Sequence, residues 1–161
     1  MKIKIKYHSN SCRIVQYGDW IDLRSEHTVI FSPPKLSKDI VKFDNKLVSL
    51  GVSMQLPKHY EAHLVPRSST FRSYRVLQTN GMGIIDSTYC GDNDVWKMPV
   101  VALDRAVINN GDRICQFRIM PSQNAPWWVK LNWLISKKVK FEEVEHLGRV
   151  DRGGFGSSGN K

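Results

Sequence analysis

The chain has 161 residues, 41% of them hydrophobic and 24% charged, and carries a formal net charge of +9. That is enough for one domain with a sizeable core, and too apolar a composition for a disordered chain. No apolar run approaches the length that spans a bilayer, and the start lacks the apolar block and small-residue cleavage site of a secretory signal.

The opening MKIKIKYHSNS alternates Lys with Ile and predicts an amphipathic strand over Lys2–Tyr7. Further short apolar or alternating runs follow at Ile14–Tyr17, Thr28–Phe31, Lys46–Leu50, Tyr60–Val65, Met98–Leu103, Arg113–Met120 and Val139–Val144. Gly, Pro and Asn separate them, a spacing that predicts an all-β sandwich or barrel. Two segments break the pattern. Ser69–Leu77 (STFRSYRVL) fits a short helix or a loop, and Asn124–Lys138 reads as an amphipathic helix. Asn124 can cap that helix and Pro126 suits its first turn. Trp127, Leu131, Leu134 and Ile135 share a face expected to pack on the chain's own domain, with Lys130, Lys137 and Lys138 mostly elsewhere.

Cys12, Cys90 and Cys115 are odd in number and lack CxxC spacing, which suits a reducing cytoplasm without disulfides or a zinc site. The histidines are scattered, and His59/His63 forms no HExxH pattern. The Lys and Arg residues are spread rather than massed on one helix, so neither nucleic acid nor a membrane is the expected partner; a nucleoside triphosphate is compatible with the charge.

Five polar clusters interrupt the strand pattern. Gly18–Arg24 (GDWIDLR) sets Asp22 between apolar residues, where a carboxylate can cap a turn or hold a metal-bound water. Pro66-Arg67-Ser68-Ser69-Thr70 follows a predicted strand and is either phosphate-binding chemistry or an ordinary helix cap. Asn80–Asp92 (NGMGIIDSTYCGD) suggests a hairpin whose backbone approaches a ligand, with Asp86 as a turn-former or a general base. In a strand from Arg113, Gln116 and Arg118 project to one face and Cys115, Phe117 and Ile119 to the other. The tail VDRGGFGSSGNK is rich in Gly and Ser; it is either a frayed terminus or a wrap for a phosphate-bearing ligand.

Taken in order from Gly18 to Gly159, these clusters resemble the five ordered motifs of the trimeric dUTP diphosphatase (dUTPase) family, of phage or bacterial type. The resemblance implies a distorted jelly-roll or β-barrel-like domain over residues 1–148 with an inserted helix near 124–138. A flexible C-terminal lid over residues 149–161 would follow. It also implies a homotrimer with sites between subunits, and hydrolysis of dUTP to dUMP and pyrophosphate with Mg2+. That reaction keeps uracil out of DNA and supplies dUMP for thymidylate synthesis.

Carried onto matching positions, Asp86 would activate the water that attacks the α-phosphorus. Tyr89 would press on the deoxyribose, and Asn80 with the backbone of Gly83, Ile84 and Ile85 would read the uracil. Arg67, Ser68, Ser69 and Gln116 would hold phosphates from neighbouring subunits, and Asp22 would contact a magnesium-bound water. In the tail, Phe155 would cover the uracil while Arg152, Gly154, Ser157 and Ser158 meet the triphosphate.

Trp20-Ile21 replaces the family's usual Ala-Gly before Asp22. The tail arginine lies closer to the aromatic than usual, which makes Arg149 a competing phosphate ligand. The stretch DNDVWKM after Gly91 is longer than usual, and Lys97 within it is a further substrate candidate. Two other functions remain compatible. A dCTP deaminase shares the fold and an RSS motif, but needs a Glu where Asp104 stands. A dUTPase-fold protein with a host or regulatory protein partner would use the Trp-rich segment.

Overall fold

The computed structural model describes residues 1–136 and 139–154; Lys137, Lys138, Phe155, Ser157, Ser158 and the other tail residues lie outside the described residues. The first strands are β1 (Lys2–Tyr7), β2 (Val15–Gln16), β3 (Ile21–Arg24), β4 (Val29–Phe31), β5 (Lys35–Ser37), β6 (Ile40–Lys42), β7 (Asn45–Ser49) and β8 (Val52–Gln55). Next come β9 (Tyr60–Pro66), helix α1 (Thr70–Tyr74), β10 (Val76–Gln78), β11 (Gly83–Asp86), β12 (Lys97–Ala102) and β13 (Ala106–Ile108). β14 (Arg113–Pro121), helix α2 (Trp127–Ile135) and β15 (Lys140–Glu143) complete the described chain. The mostly-β architecture agrees with the sequence expectation.

The strands form a five-stranded sheet (β11-β9-β14-β3-β2), two three-stranded sheets (β15-β1-β8 and β10-β12-β7) and the ribbons β4–β13 and β5–β6. β1 turns Ile3 and Ile5 into the core and Lys2 and Lys4 outward, as its alternation requires. β15 lies parallel to β1, with Phe141 opposite Ile3, which returns the C-terminal segment to the N-terminal strand. Phe117 of β14 meets Trp96 edge-on at 5.1 Å and Phe141 edge-on at 6.3 Å, so one aromatic chain joins elements of two sheets. Burying a side chain of this size stabilises the fold by about 1.5–3 kcal/mol.

β14 carries a register shift between Arg113 and Cys115 against β3. The shift lets Ile114 and Cys115 both be buried; beyond it Phe117 and Ile119 face inward, while Gln116 is half-buried and Arg118 exposed. β3 and β8 escape a period-2 reading because Ile21-Asp22-Leu23 and Val52-Ser53-Met54 are buried without a break.

Three expectations need correction. Asn80–Asp86 is not part of a hairpin with the preceding strand: β10 pairs with β12 and β11 with β9, so the turn crosses between sheets. Ser69–Leu77 needs no correction: the short helix of its two readings is present as α1, stopped by Arg75 in the left-handed region (φ 55°) and followed by β10. In α2 the N-cap is Pro126, without a side-chain cap bond, rather than Asn124. None of the α2 residues is buried, and Trp127, Leu131, Leu134 and Ile135 are all exposed. The helix instead leans on β14 through Trp133, whose indole donates to the Ile119 carbonyl at 3.3 Å.

Candidate active site

The outer face of the five-stranded sheet sets Asp22, Gln116 and Val65 side by side in register. Asp22 is buried, and its two oxygens accept from Arg67 Nε and Arg113 Nη1, each at 3.1 Å. One carboxylate thereby aims two guanidiniums. Thr70 fastens the loop after β9: its hydroxyl accepts from the Arg67 amide at 3.1 Å and donates to the Ile114 carbonyl at 2.7 Å. Ser69 is the N-cap of α1 but makes no side-chain cap bond, so the ordinary capping role is not realised. Two hydroxyls, an amide and two oriented guanidiniums form a set suited to phosphate oxygens.

A second cluster lies at the end of β11. Asp86 Oδ1 accepts from the Thr88 amide at 2.8 Å and the Thr88 hydroxyl at 2.5 Å, and Oδ2 accepts from Arg152 Nη1 at 2.7 Å. Burial pushes the Asp86 carboxyl up, but the Thr88 donors and the Arg152 guanidinium prevail and hold it below its ordinary value. Tyr89 donates its hydroxyl to the Val95 carbonyl at 3.0 Å, and burial raises its phenol.

At the crossing turn, Gly81 adopts φ 65° and the Met82 amide donates to the Asn80 carbonyl at 2.7 Å. Gln78, absent from the sequence candidates, donates to Asn80 Oδ1 at 2.8 Å and to the Leu64 carbonyl at 3.3 Å. Asn80 therefore keeps its amide N–H groups for another acceptor. Gly83 packs so tightly that a Cβ would lie 3.3 Å from Leu64 Cβ; Ile84 is exposed and Ile85 half-buried against the core.

The two clusters share a sheet face but not a position. Asp86 stands opposite Glu61 on β9, and Glu61 opposite Met120 on β14, four residues beyond Gln116. At about 4.8 Å between strands and about 3.3 Å per residue, the Asp86 and Gln116 Cα atoms are about 16 Å apart. Lys97 opens β12 on a different sheet, two residues after Val95, whose carbonyl accepts from Tyr89. Arg149 is exposed, and its charge acts on Cys90. Asp104 is exposed and accepts from the Arg105 amide at 2.7 Å, which makes it a turn residue after β12.

The segment after β15 is gripped by Gly91–Asp94. Asp92 accepts from the Leu147 amide at 2.8 Å. Asn93 donates its amide and side-chain nitrogens to the two oxygens of Asp151, at 2.8 and 2.7 Å. Asp94 is 1% exposed and accepts from the amides of Gly91 at 2.9 Å, Arg152 at 2.9 and 3.1 Å, and Gly153 at 2.9 Å. Burial raises the Asp94 carboxyl, yet these amides outweigh it and keep it below the usual range. Gly154 follows against Tyr89, where a Cβ would lie 3.2 Å from Cε2. These grips were missed in sequence; the unusual DND run after Gly91 was their one visible trace.

Among the described residues no group of three or more His, Cys, Asp or Glu side chains could hold a metal ion. Asp22 Oδ1 and Oδ2 each accept one guanidinium bond, which leaves lone pairs for a water.

The dUTPase family model matches residues 22–159. The chain is 48% identical over 164 aligned residues, covering all of both proteins, to the SPbeta prophage-derived deoxyuridine 5′-triphosphate nucleotidohydrolase of Bacillus subtilis. It is 31% identical over 169 residues, 99% of each chain, to the deoxyuridine 5′-triphosphate nucleotidohydrolase of Finegoldia magna. Among solved structures, the dUTPase of Streptococcus mutans superposes with a TM-score of 0.63 at 20% identity, covering 74% of this chain and 93% of that one. A phage phi11 dUTPase variant, described as coordinating a structural Mg(II) ion, gives 0.61 at 16% identity over 77% and 93%. The dUTPase of Staphylococcus bacteriophage 80alpha, described as controlling transfer of virulence genes by a G protein-like mechanism, gives 0.60 at 17% identity over 77% and 92%.

Proposed function

The chain belongs to the dUTPase family, and from that premise we infer that it is a dUTP diphosphatase, hydrolysing dUTP to dUMP and pyrophosphate. The observation that carries the mechanism is Asp86, ionised and oriented by Thr88 at a strand end beside Tyr89. Asp86 takes a proton from a water as that water's oxygen bonds to the α-phosphorus, and the bond to the β-phosphate oxygen breaks to release pyrophosphate. Tyr89, tied by its hydroxyl to Val95, presents its ring to the deoxyribose and leaves no room for a 2′-hydroxyl. Asn80 and the backbone of Gly83–Asp86 read the uracil edge.

A homotrimer is the assembly the resemblance implies, and the separation of about 16 Å between the Asp86 and Gln116 Cα atoms supports a site shared between subunits. A neighbouring subunit then brings its Arg67, Ser68, Ser69 and Gln116 to the phosphates beside this chain's Asp86. Mg2+ held on the triphosphate would supply charge neutralisation at the leaving pyrophosphate, and Asp22 is the residue that would reach it through a water. The division into a β-domain over residues 1–148 and a lid over residues 149–161 belongs to the same reading. Free cysteines and a nucleotide substrate fit a reducing cytoplasm; among the described residues no helix is long and apolar enough to cross a membrane.

The test is pyrophosphate release from dUTP, dTTP, dCTP and UTP. Turnover of dUTP alone is expected. Equal turnover of all four overturns the reading, and ammonia from dCTP without pyrophosphate from dUTP replaces it with deamination.

A second role, in binding a regulatory protein, is favoured by α2, where Trp127 is 70% and Ile135 75% exposed. Pull-downs with the chain intact and with residues 124–138 removed test it. A partner that depends on the segment is expected; retention that ignores the deletion removes the idea.

A further inference from the structure

Gln78 lies on β10 opposite Val100 of β12 and shares the inward face of its strand with buried Val76. From there its amide crosses to the five-stranded sheet, where Nε2 donates to the Leu64 carbonyl at 3.3 Å and to Asn80 Oδ1 at 2.8 Å. Its own oxygen, Oε1, is buried and meets no donor among the described residues. A buried acceptor without a donor weakens a fold, and a methionine of similar length carries no such group. Gln78 therefore stands at a cost to stability, which points to a task beyond packing.

The bonds have a fixed polarity that starts from the main chain. A carbonyl can only accept, and that of Leu64 belongs to a residue paired on both sides, with Gly83 of β11 and Phe117 of β14. Gln78 must turn its nitrogen toward it, and the second hydrogen of that nitrogen falls to Asn80. Asn80 answers with its oxygen, so its Nδ2 faces the other way. There it comes to 3.7 Å from where a Gly83 Cβ would stand, and bonds to nothing among the described residues. We propose that Gln78 is a positioning residue that fixes the amide orientation of Asn80 and so makes the base pocket take uracil and refuse cytosine. The proposal rests on the reading of Asn80 as a uracil contact. Uracil carries an acceptor, O4, where cytosine carries an amino donor. A fixed Nδ2 donates to O4 and meets the cytosine amino group donor to donor. An unfixed Asn80 turns its amide over and accepts from that amino group, because the two ends of an amide are alike in shape.

Gln78→Met and Asn80→Ala, singly and together, separate this from a packing role when kcat/KM is measured on dUTP, dCTP and dTTP. In Gln78→Met, dCTP is expected to gain and dUTP to lose about threefold each, which raises the dCTP:dUTP ratio about tenfold. The dTTP:dUTP ratio should stay within about twofold, because thymine carries the same O4. In the Asn80→Ala background, adding Gln78→Met should move the dCTP:dUTP ratio by less than about twofold, because its partner is gone. The unfolding midpoint of Gln78→Met should not fall, since the variant also removes the orphaned oxygen. Neutron diffraction from crystals of the unliganded chain should find both Asn80 amide deuterons on the side turned away from Gln78.

Equal losses on dUTP and dCTP, with or without a lower midpoint, make Gln78 a packing residue and overturn the proposal. A dTTP ratio that rises in step with the dCTP ratio overturns it as well, because the pocket has then simply loosened. So does a dCTP shift of the same size in the absence of the Asn80 side chain. Deuterons that face Gln78 overturn the fixed polarity itself. An unmodified chain that does not turn over dUTP fails the functional reading instead; the neutron map uses no nucleotide and still decides the orientation of Asn80.

Discussion

Asp86→Asn is expected to lower kcat on dUTP by about 10²–10⁴-fold, the span over which a positioned base contributes. The substitution is nearly isosteric and keeps an oxygen for the Thr88 amide and hydroxyl, so the end of β11 should hold its shape. What it removes is the charge that accepts the water's proton. Binding of a non-hydrolysable dUTP analogue should stay within about tenfold of the unmodified chain, because a group needed only in the transition state adds little to the ground state. Loss of analogue binding in step with turnover would instead make Asp86 a binding residue.

A pH profile of the unmodified chain extends the test. The Asp86 carboxyl titrates below its ordinary value of 3.8 in the free chain, so its ionised form is lost only as pH falls through that lowered value. Asp86 should therefore add no acid limb to kcat/KM above about pH 4.

Removing residues 150–161 is expected to lower kcat/KM by about 10²-fold or more, because the cut takes away Arg152, whose guanidinium stands on Asp86 Oδ2. The fold should survive. Residues 150–154 are exposed in the described chain, whereas Leu147 and the pairing of β15 with β1 lie upstream of the cut and remain. Asp94 loses two amide donors but is opened to water, which satisfies a carboxylate as well. Sedimentation and an unfolding midpoint close to those of the full chain, together with the loss of turnover, are the expected pair. A truncated chain that keeps kcat/KM within about threefold would show that the arm is dispensable.

Legibility in the sequence varied with the range of the interaction that decides each feature. β1 could be read from KIKIK and the face of Gln116 from RICQFRI, because alternation is local and one face of each strand is covered. Strands β3 and β8 could not, because burial without alternation erases the period. The candidate residues of both site clusters were visible as types in order, but Arg113 on Asp22 and the other partners were not. Thr70, Gln78 and Thr88 orient candidate residues through bonds whose value depends on where the backbone runs. In α2 the helical period was correct and the packing face was not, since only Trp133 of the helix reaches β14 by a hydrogen bond.

The amino-acid order was sufficient for the family and the all-β class, because those rest on residue types at fixed short spacings. Folding was needed to set Asp86 and Gln116 about 16 Å apart across one intervening strand, to pair Asp22 with two arginines, and to lay residues 151–153 across Asp94. The two sets of bonds join positions at least 45 residues apart, and no local propensity carries that information. It comes from strand register, from the parallel return of β15, and from the requirement that a buried carboxylate find its donors.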